Sequence, residues 1–407
     1  MTYFEQLIPS KFHYFEKFNE LDEQDLKIIF AMIKKCPDGP RNISTIAEEL
    51  GLPQQIVNNR VSRYDEKDLV RFRAVINEAL LGLTNYAVVV SVKPGLLYEN
   101  KKGGAVNAGT FLTCYPIWRL LEEVFGGDVH GFYSLYSIPC EKENDLKLFL
   151  NELIKINCIK KINEFCRVTQ SFYNIPSLES FISIKKTILR KRLVSFSWDK
   201  WIDDFDKAEE SSKLDRLAAK TQKCSFSYND LLILFHLERN LREKFANIAK
   251  EVGETATKVT QHYKEIIEKG LIIGCKFEIY PIDPRESIHL LVRLEFASAK
   301  SLRKLISHLD QVPYPIMYEK IEATEALFIH AMIPSVEYFD FRNTFEKLAR
   351  QQGIIQDINL YASNFYAKFD NIMLFEAFSE EENKWAFSLD AIHQALQKLL
   401  ENTKFKF

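Results

Sequence analysis

The chain repeats itself, and no other feature limits its folds as strongly. Asp25-Leu26-Lys27-Ile28-Ile29-Phe30 answers to Asp230-Leu231-Leu232-Ile233-Leu234-Phe235, and Ile46-Ala47-Glu48-Glu49-Leu50-Gly51 to Ile248-Ala249-Lys250-Glu251-Val252-Gly253. Tyr115-Pro116-Ile117 matches Tyr314-Pro315-Ile316, Ile162-Asn163 matches Ile358-Asn359, and Phe196-Ser197-Trp198-Asp199 matches Phe387-Ser388-Leu389-Asp390. The separations fall steadily from 205 to 191 residues, as two copies differing by short loops would give. Two halves follow, at about residues 20–210 and 225–402. A length of 407 residues then leaves room for about two modules per half.

Within the first half, Leu26, Ile29, Phe30 and Ile33 recur at helical spacing behind Asp22, Glu23 and Asp25, which suit a helix start. Ile43, Ile46, Ala47 and Leu50 mark a second helix closed by Gly51. Pro53 opens a third, with Ile56, Val57, Val61 and Tyr64 inward and Gln54, Gln55, Asn58, Asn59, Ser62 and Arg63 outward. Leu69 to Ile76 reads as a strand pair or wing carrying Arg71 and Arg73. Three helices with a tight turn before the third, then a wing, is the winged helix-turn-helix order, whose third helix enters the DNA major groove. Asn and Gln pair with adenine edges and Arg with guanine, while wing arginines meet phosphate. The bland alternative is a three-helix packing module with a solvated polar face. In the second copy the corresponding helix offers Thr255, Thr257, Lys258, Thr260, Gln261 and Lys264, with Lys276 on the wing, a set better suited to phosphate than to bases.

After each wing the order is strand, helix, two strands, helix, strand. In the first half Tyr86 to Val92, a weak helical region, Pro116 to Leu121, Gly131 to Ile138, Glu143 to Ile156 and Lys161 to Thr169 fill it. In the second, Ile288 to Phe296, Lys300 to Leu309, Ile316 to Ile321, Ala326 to Ile333, Val336 to Gln352 and Ile355 to Tyr361 do. That βαββαβ order is ferredoxin-like. The expected fold class is therefore α+β: two winged helix-turn-helix units (20–80 and 225–282) and two ferredoxin-like domains (84–175 and 286–368) as an internal repeat. An extension helix and linker (176–224) and a C-terminal extension helix (369–407) complete the chain, with capping signatures at Ser197 and Ser388.

The run Leu50-Gly51-Leu52-Pro53-Gln54-Gln55-Ile56-Val57-Asn58-Asn59-Arg60-Val61-Ser62-Arg63-Tyr64, with Arg71-Phe72-Arg73 and Leu81-Gly82-Leu83, resembles the DNA-binding unit of Lrp/AsnC (feast/famine) transcriptional regulators. So does the opening Leu21-Asp22-Glu23-Gln24-Asp25-Leu26. The resemblance implies a ferredoxin-like effector and dimerisation domain after each unit, here as a single-chain pseudo-dimer, itself able to form a homodimer. It further implies double-stranded DNA as partner and a small-molecule effector such as an amino acid, with Gly127 and Asp128 standing where the family has a Gly-Asp hairpin near its pocket. The second copy has Glu322-Ala323-Thr324-Glu325 there instead.

Three functions compete. The first is a DNA-binding regulator using Arg60 together with the helix and wing residues named above. The second is a metabolite- or protein-binding scaffold that no longer binds DNA. The third is an enzyme resembling siroheme decarboxylases, whose fused forms pair two such copies, with His130-Gly131-Phe132-Tyr133 as a partial echo of that family's His beside Asn-Tyr. No nucleophile triad, H-E-x-x-H, phosphate loop or paired carboxylates stands at diagnostic spacing, so the expectation is no enzyme, no catalytic residues, no metal and no cofactor. His130, His236, His262, His289, His308 and His330 fall on expected strands and helix faces, where packing is the commoner role. The formal charge of −2 excludes a globally basic protein, so DNA affinity would rest on local cations. Seven cysteines without a C-x-x-C pair, no apolar leader and no apolar run near the length of a membrane span give a cytoplasmic expectation with reduced thiols and no membrane.

Overall fold

The computed structural model describes residues 14–92, 98–100, 105–106, 108–174, 176–189, 196–212, 214, 225–279, 281–350, 353–371, 377–382, 384–386 and 388–405. The fold is mixed helix and sheet. Asp22 starts α1 (Glu23–Lys34) through a reciprocal cap: its carboxylate accepts from Asp25 N at 2.8 Å, and that of Asp25 accepts from Asp22 N at 2.8 Å. α2 (Ile43–Leu50) stops at Gly51, whose φ of 62° is the left-handed value that favours glycine. α3 (Gln54–Glu66) buries Val57, Val61 and Tyr64 against α1, but Ile56, expected inward, is 45% exposed. It lies just before Val57 on the helix and so faces away from α1.

β1 (Arg71–Ile76) follows, and here the expectation of a local strand pair needs correction: its partner is the matching strand of the other half. After β1 come β2 (Leu83–Ser91), α4 (Ala108–Leu112), β3 (Trp118–Gly126), β4 (Val129–Pro139), α5 (Glu143–Lys155), β5 (Lys161–Val168), β6 (Phe172–Tyr173), α6 (Leu178–Leu189) and α7 (Trp198–Asp203). Ser197 makes no side-chain cap on α7, contrary to its sequence signature, whereas Ser388 caps the last helix through Ala391 N at 3.1 Å.

The second half runs through the same order: α8 (Tyr228–Arg239), α9 (Phe245–Val252), α10 (Ala256–Glu268), β7 (Ile272–Glu278), β8 (Ser287–Phe296), α11 (Ala299–Leu309), β9 (Ile316–Ile321), β10 (Ala326–Pro334), α12 (Tyr338–Arg350), β11 (Ile355–Asp370) and finally α13 (Leu389–Asn402). β1 and β7 form an antiparallel ribbon in the register Arg71↔Glu278, Arg73↔Lys276. The two helical units share one apolar core across that ribbon, and Arg41 lies over the Phe245 ring at 4.0 Å.

Nine further strands form one sheet, eight of them closing into a ring in the order β10-β8-β11-β3-β4-β2-β5-β9, with β9 returning to β10 and β6 attached to β9. Two junctions join the halves: β11 with β3, and β5 with β9. Ala87, Val89, Val124, Tyr133, Leu135, Leu291 and Phe328 fill the inside of the ring. α5 covers Tyr86, Val88 and Val90 on the outside of the first half, and α11 and α12 cover Leu290, Val292 and Leu294 on the second. Tyr86 to Val90 is therefore buried on both faces, which is why it reads as a continuous apolar run. Among the described residues no helix is long and apolar enough to cross a membrane.

Candidate functional site

Two places were legible as sites in the sequence, the third-helix faces and the hairpin at Gly127. On α3, Gln54, Gln55, Asn58 and Asn59 are exposed, with Gln55 donating to Asn59 at 2.8 Å. The cations beside them turn inward. Arg60 donates to Asp22 at 2.8 Å and to Asp25 at 2.7 Å, and Arg63 also pairs with Asp25, which is fully buried and accepts from Tyr64 Oη at 2.9 Å. Ser62 is half-buried. Arg71 pairs with Asp68 at 3.2 Å; Arg73 is buried, donating to Glu238 O at 2.9 Å and to Glu278 at 3.0 Å.

The second unit repeats the device. Its buried Asp230 holds His262 of α10 at 2.7 Å, Lys258 pairs with Glu254 at 2.9 Å, Thr260 donates to Ala256 O, and Gln261 to Glu265. Thr255 caps the helix, Thr257 and Lys264 are exposed, and Lys276 donates to Tyr173 Oη at 3.4 Å. The acid that starts the first helix of each unit thus anchors its third, a relation that spacing alone does not announce.

At the other expected place, Gly127 takes φ 56° in the β3–β4 hairpin, and Asp128 accepts from Lys161 at 2.8 Å. That ion pair holds the Asp128 carboxyl below its usual value.

A third place was not found from the sequence. Where β5 meets β9, the junction of the halves opens into a cleft of about 720 Å³. Its walls are the turn from Asn77 into β2, the end of β5 with Thr169 and Gln170, the start of α11 with Arg303, and the β9–β10 hairpin with Lys320, Glu322 and Glu325. Four of these side chains keep a buried polar atom with no hydrogen-bond partner: Asn77 Nδ2, Asn85 Oδ1, Gln170 Nε2 and Glu325 Oε2. Asn77, Asn85 and Gln170 are 1%, 5% and 8% exposed. Asn77 is oriented by its own Oδ1, which accepts from Leu80 N. Buried polar groups are ordinarily paired with protein or water, and leaving one unpaired costs about 1–3 kcal/mol, so four around one cleft mark it as a place where water or a polar ligand completes their bonding. Two are N–H donors and two are oxygen acceptors, so the complementary molecule carries both kinds of group. The signal in sequence was faint: Asn85 and Gln170 are amides beside apolar strands, each belonging to a different part of the chain.

Inside the ring a second polar cluster centres on His330, whose two ring nitrogens are both paired, while the hydroxyl of the adjoining Tyr133 is buried without a partner. The His330 Nδ1 side meets Glu122 at 2.8 Å and the Nε2 side meets Glu319 at 3.1 Å. Ser363 donates to Glu122, and Ser171 to Glu319 at 2.6 Å. The edge of Tyr133 packs on the imidazole at 4.9 Å between centroids. Through His330, Glu122 and Glu319 these groups link β3 of the first half to β9 and β10 of the second.

No protein-family model matches the chain, and no curated protein does. Among solved structures, two crystal structures of the siroheme decarboxylase NirDL, one in co-complex with an iron-uroporphyrin III analogue, are similar over 93% of this chain and 100% of theirs. Their identities are 12% and 13% and their TM-scores 0.49. PH0061 and E. coli AsnC are similar over 37% of this chain and 99% and 97% of theirs, at 16% identity and TM-scores of 0.29 and 0.26. The neighbours thus include AsnC, of the regulator type that the sequence resembles, and an enzyme. The expectation that the chain is not an enzyme is corrected: two of the solved structures similar to it, over nearly its whole length, are of a decarboxylase.

Proposed function

We propose that this chain binds a small polar molecule in the cleft at the β5–β9 junction, within an architecture of Lrp/AsnC type: winged-helix units joined by a wing ribbon and ferredoxin-like domains closed into one ring. The single observation that carries the reading is the set of four unpaired buried polar atoms on Asn77, Asn85, Gln170 and Glu325. Lys320 and Arg303 on one side and Glu322 and Glu325 on the other give the walls both charges, which favours a ligand with donors and acceptors over a purely anionic or apolar one. An amino-acid mixture, as expected of an Lrp/AsnC effector, supplies the probe. Calorimetric titration with it should give binding that Gln170→Leu and Asn85→Leu abolish. Binding that both variants leave intact would place the ligand elsewhere.

A second reading, duplex DNA bound by α3, is favoured by one observation: Gln54, Gln55, Asn58 and Asn59 present an exposed amide face with the chemistry of base readout. Against it stand the inward ion pairs of Arg60, Arg63 and Arg73. A gel-shift series on fragments of the source genome tests it, since Asn58→Ala with Asn59→Ala must weaken binding if the helix reads bases. Affinity through phosphate must also fall steeply with salt.

A further inference from the structure

The cleft has a thiol at its rim. Cys140 opens the short turn between β4 and α5 and lines the cleft. Among the described cysteines it alone is exposed: Cys158 is buried, and Cys36, Cys114, Cys166 and Cys275 are half-buried. Burial pushes the thiols of Cys114 and Cys166 up to about 11 and about 12, and that of Cys36 higher still, which leaves them as thiols and poor nucleophiles. Cys140 differs also in its neighbour, because Arg167 Nη2 approaches its sulfur at 3.5 Å. Arg167 is held there by Tyr86 Oη at 3.2 Å and Glu143 at 3.4 Å, with Glu322 of the cleft wall at 3.8 Å. A guanidinium held beside an accessible sulfur sets an opposing charge next to the anion that performs thiol–disulfide exchange. The unpaired atoms of Asn77, Asn85 and Gln170 in the same cleft indicate independently that a small molecule is received there.

We propose that Cys140 is a modification site that takes small-molecule disulfides, and that the resulting mixed disulfide occupies the cleft mouth. Only the second clause rests on the reading of the cleft as a ligand site. In the exchange the Cys140 sulfur anion attacks one sulfur of the disulfide, a new S–S bond forms and the old one breaks. The electron pair leaves on the second sulfur, which takes up the proton that Cys140 released. The disulfide is the oxidant, and no other is needed.

The test is exchange of the folded full-length chain with 4,4'-dithiodipyridine, a neutral disulfide, followed by the released thiopyridone and by peptide mapping of the labelled cysteine. The expected result is a fast phase mapping to the Cys140 peptide, ahead of Cys36, Cys114, Cys158, Cys166 and Cys275. Cys140→Ser should lose it, and Arg167→Ala should slow it by on the order of threefold to tenfold. Arg167→Lys keeps the charge should the alanine variant fold poorly, and mapping on the unaltered chain needs no variant at all. A fast phase mapping to one of those five in place of Cys140, or exchange at Cys140 no faster than at the half-buried thiols, overturns the proposal. Neither outcome depends on what the cleft binds. Conversely, a chain labelled at Cys140 that still titrates normally with a cleft ligand removes the second clause and leaves the first.

Discussion

Asn85 sits in β2, in register with Ser137 of β4 and Val168 of β5, at a position where its oxygen has no partner and where leucine would fit the ring's apolar lining. A residue kept for binding at the expense of folding has a measurable signature. Asn85→Leu should raise the stability of the ligand-free protein by about 1 kcal/mol in urea denaturation, since it removes an unpaired buried group. A loss of stability would mean the amide serves the fold. The opposite behaviour is expected at Asp25, which anchors Arg60, Arg63 and Tyr64. Asp25→Asn should destabilise by about 3 kcal/mol, because it leaves desolvated partners uncompensated. If α3 reads DNA at all, the same variant frees two arginines and should tighten binding in a gel shift. This is the residue-scale lesson about legibility: the polar face of α3 could be written down from its periodicity, but where its arginines point could not, because their partner lies 35 and more positions earlier on α1.

At the scale of elements, helices and strands were readable wherever burial is one-sided or the run is strongly periodic. β9 spans Ile316–Ile321, the residues the apolar pattern marked, whereas β3 runs Trp118–Gly126, beyond the expected Pro116 to Leu121. The β1–β7 ribbon was not readable, because each strand alternates as a hairpin arm would and nothing local names its partner in the other half. The β9–β10 hairpin carries Ala323 at φ 58°, the backbone shape that Gly127 adopts at φ 56° in the β3–β4 hairpin. Since alanine is strained there and glycine is not, Ala323→Gly should stabilise by up to about 1 kcal/mol in denaturant titration.

A pH effect belongs to the contact of α7 with α11. His308 meets Trp201 O at 2.6 Å and stacks on its ring, and burial holds its pKa below the usual 6.5. The folded state therefore prefers the neutral ring, so this contact contributes fully above pH about 6.5 and loses strength as pH falls below it. Denaturation midpoints should drop between pH 7 and pH 5.5, and His308→Asn should flatten that part of the decline. An unchanged slope would assign the decline to other groups.

For the whole molecule, the ring makes the two halves one folding unit. β11–β3 and β5–β9 cross between them, as do the core of the helical units, the paired His330 cluster, and Arg119, which bonds Glu78 at 2.8 Å and also Glu238. The repeat made two halves evident from the sequence, while their closure into a ring depends on register across residues about 150 to 250 apart. The cleft follows from that closure, since it exists only where β5 of one half meets β9 of the other. It brings together Asn77, Asn85, Gln170 and Glu325, which no short motif links.

A crystal structure at a resolution that orders solvent, with crystals soaked in a panel of small amides, amino acids and carboxylates, bears on this most directly. The account predicts a soaked molecule in the cleft, accepting from Gln170 Nε2 or Asn77 Nδ2 and donating to Asn85 Oδ1 or Glu325 Oε2. A cleft that holds only ordered water under every soak, with each of those four atoms satisfied by it, would contradict the account.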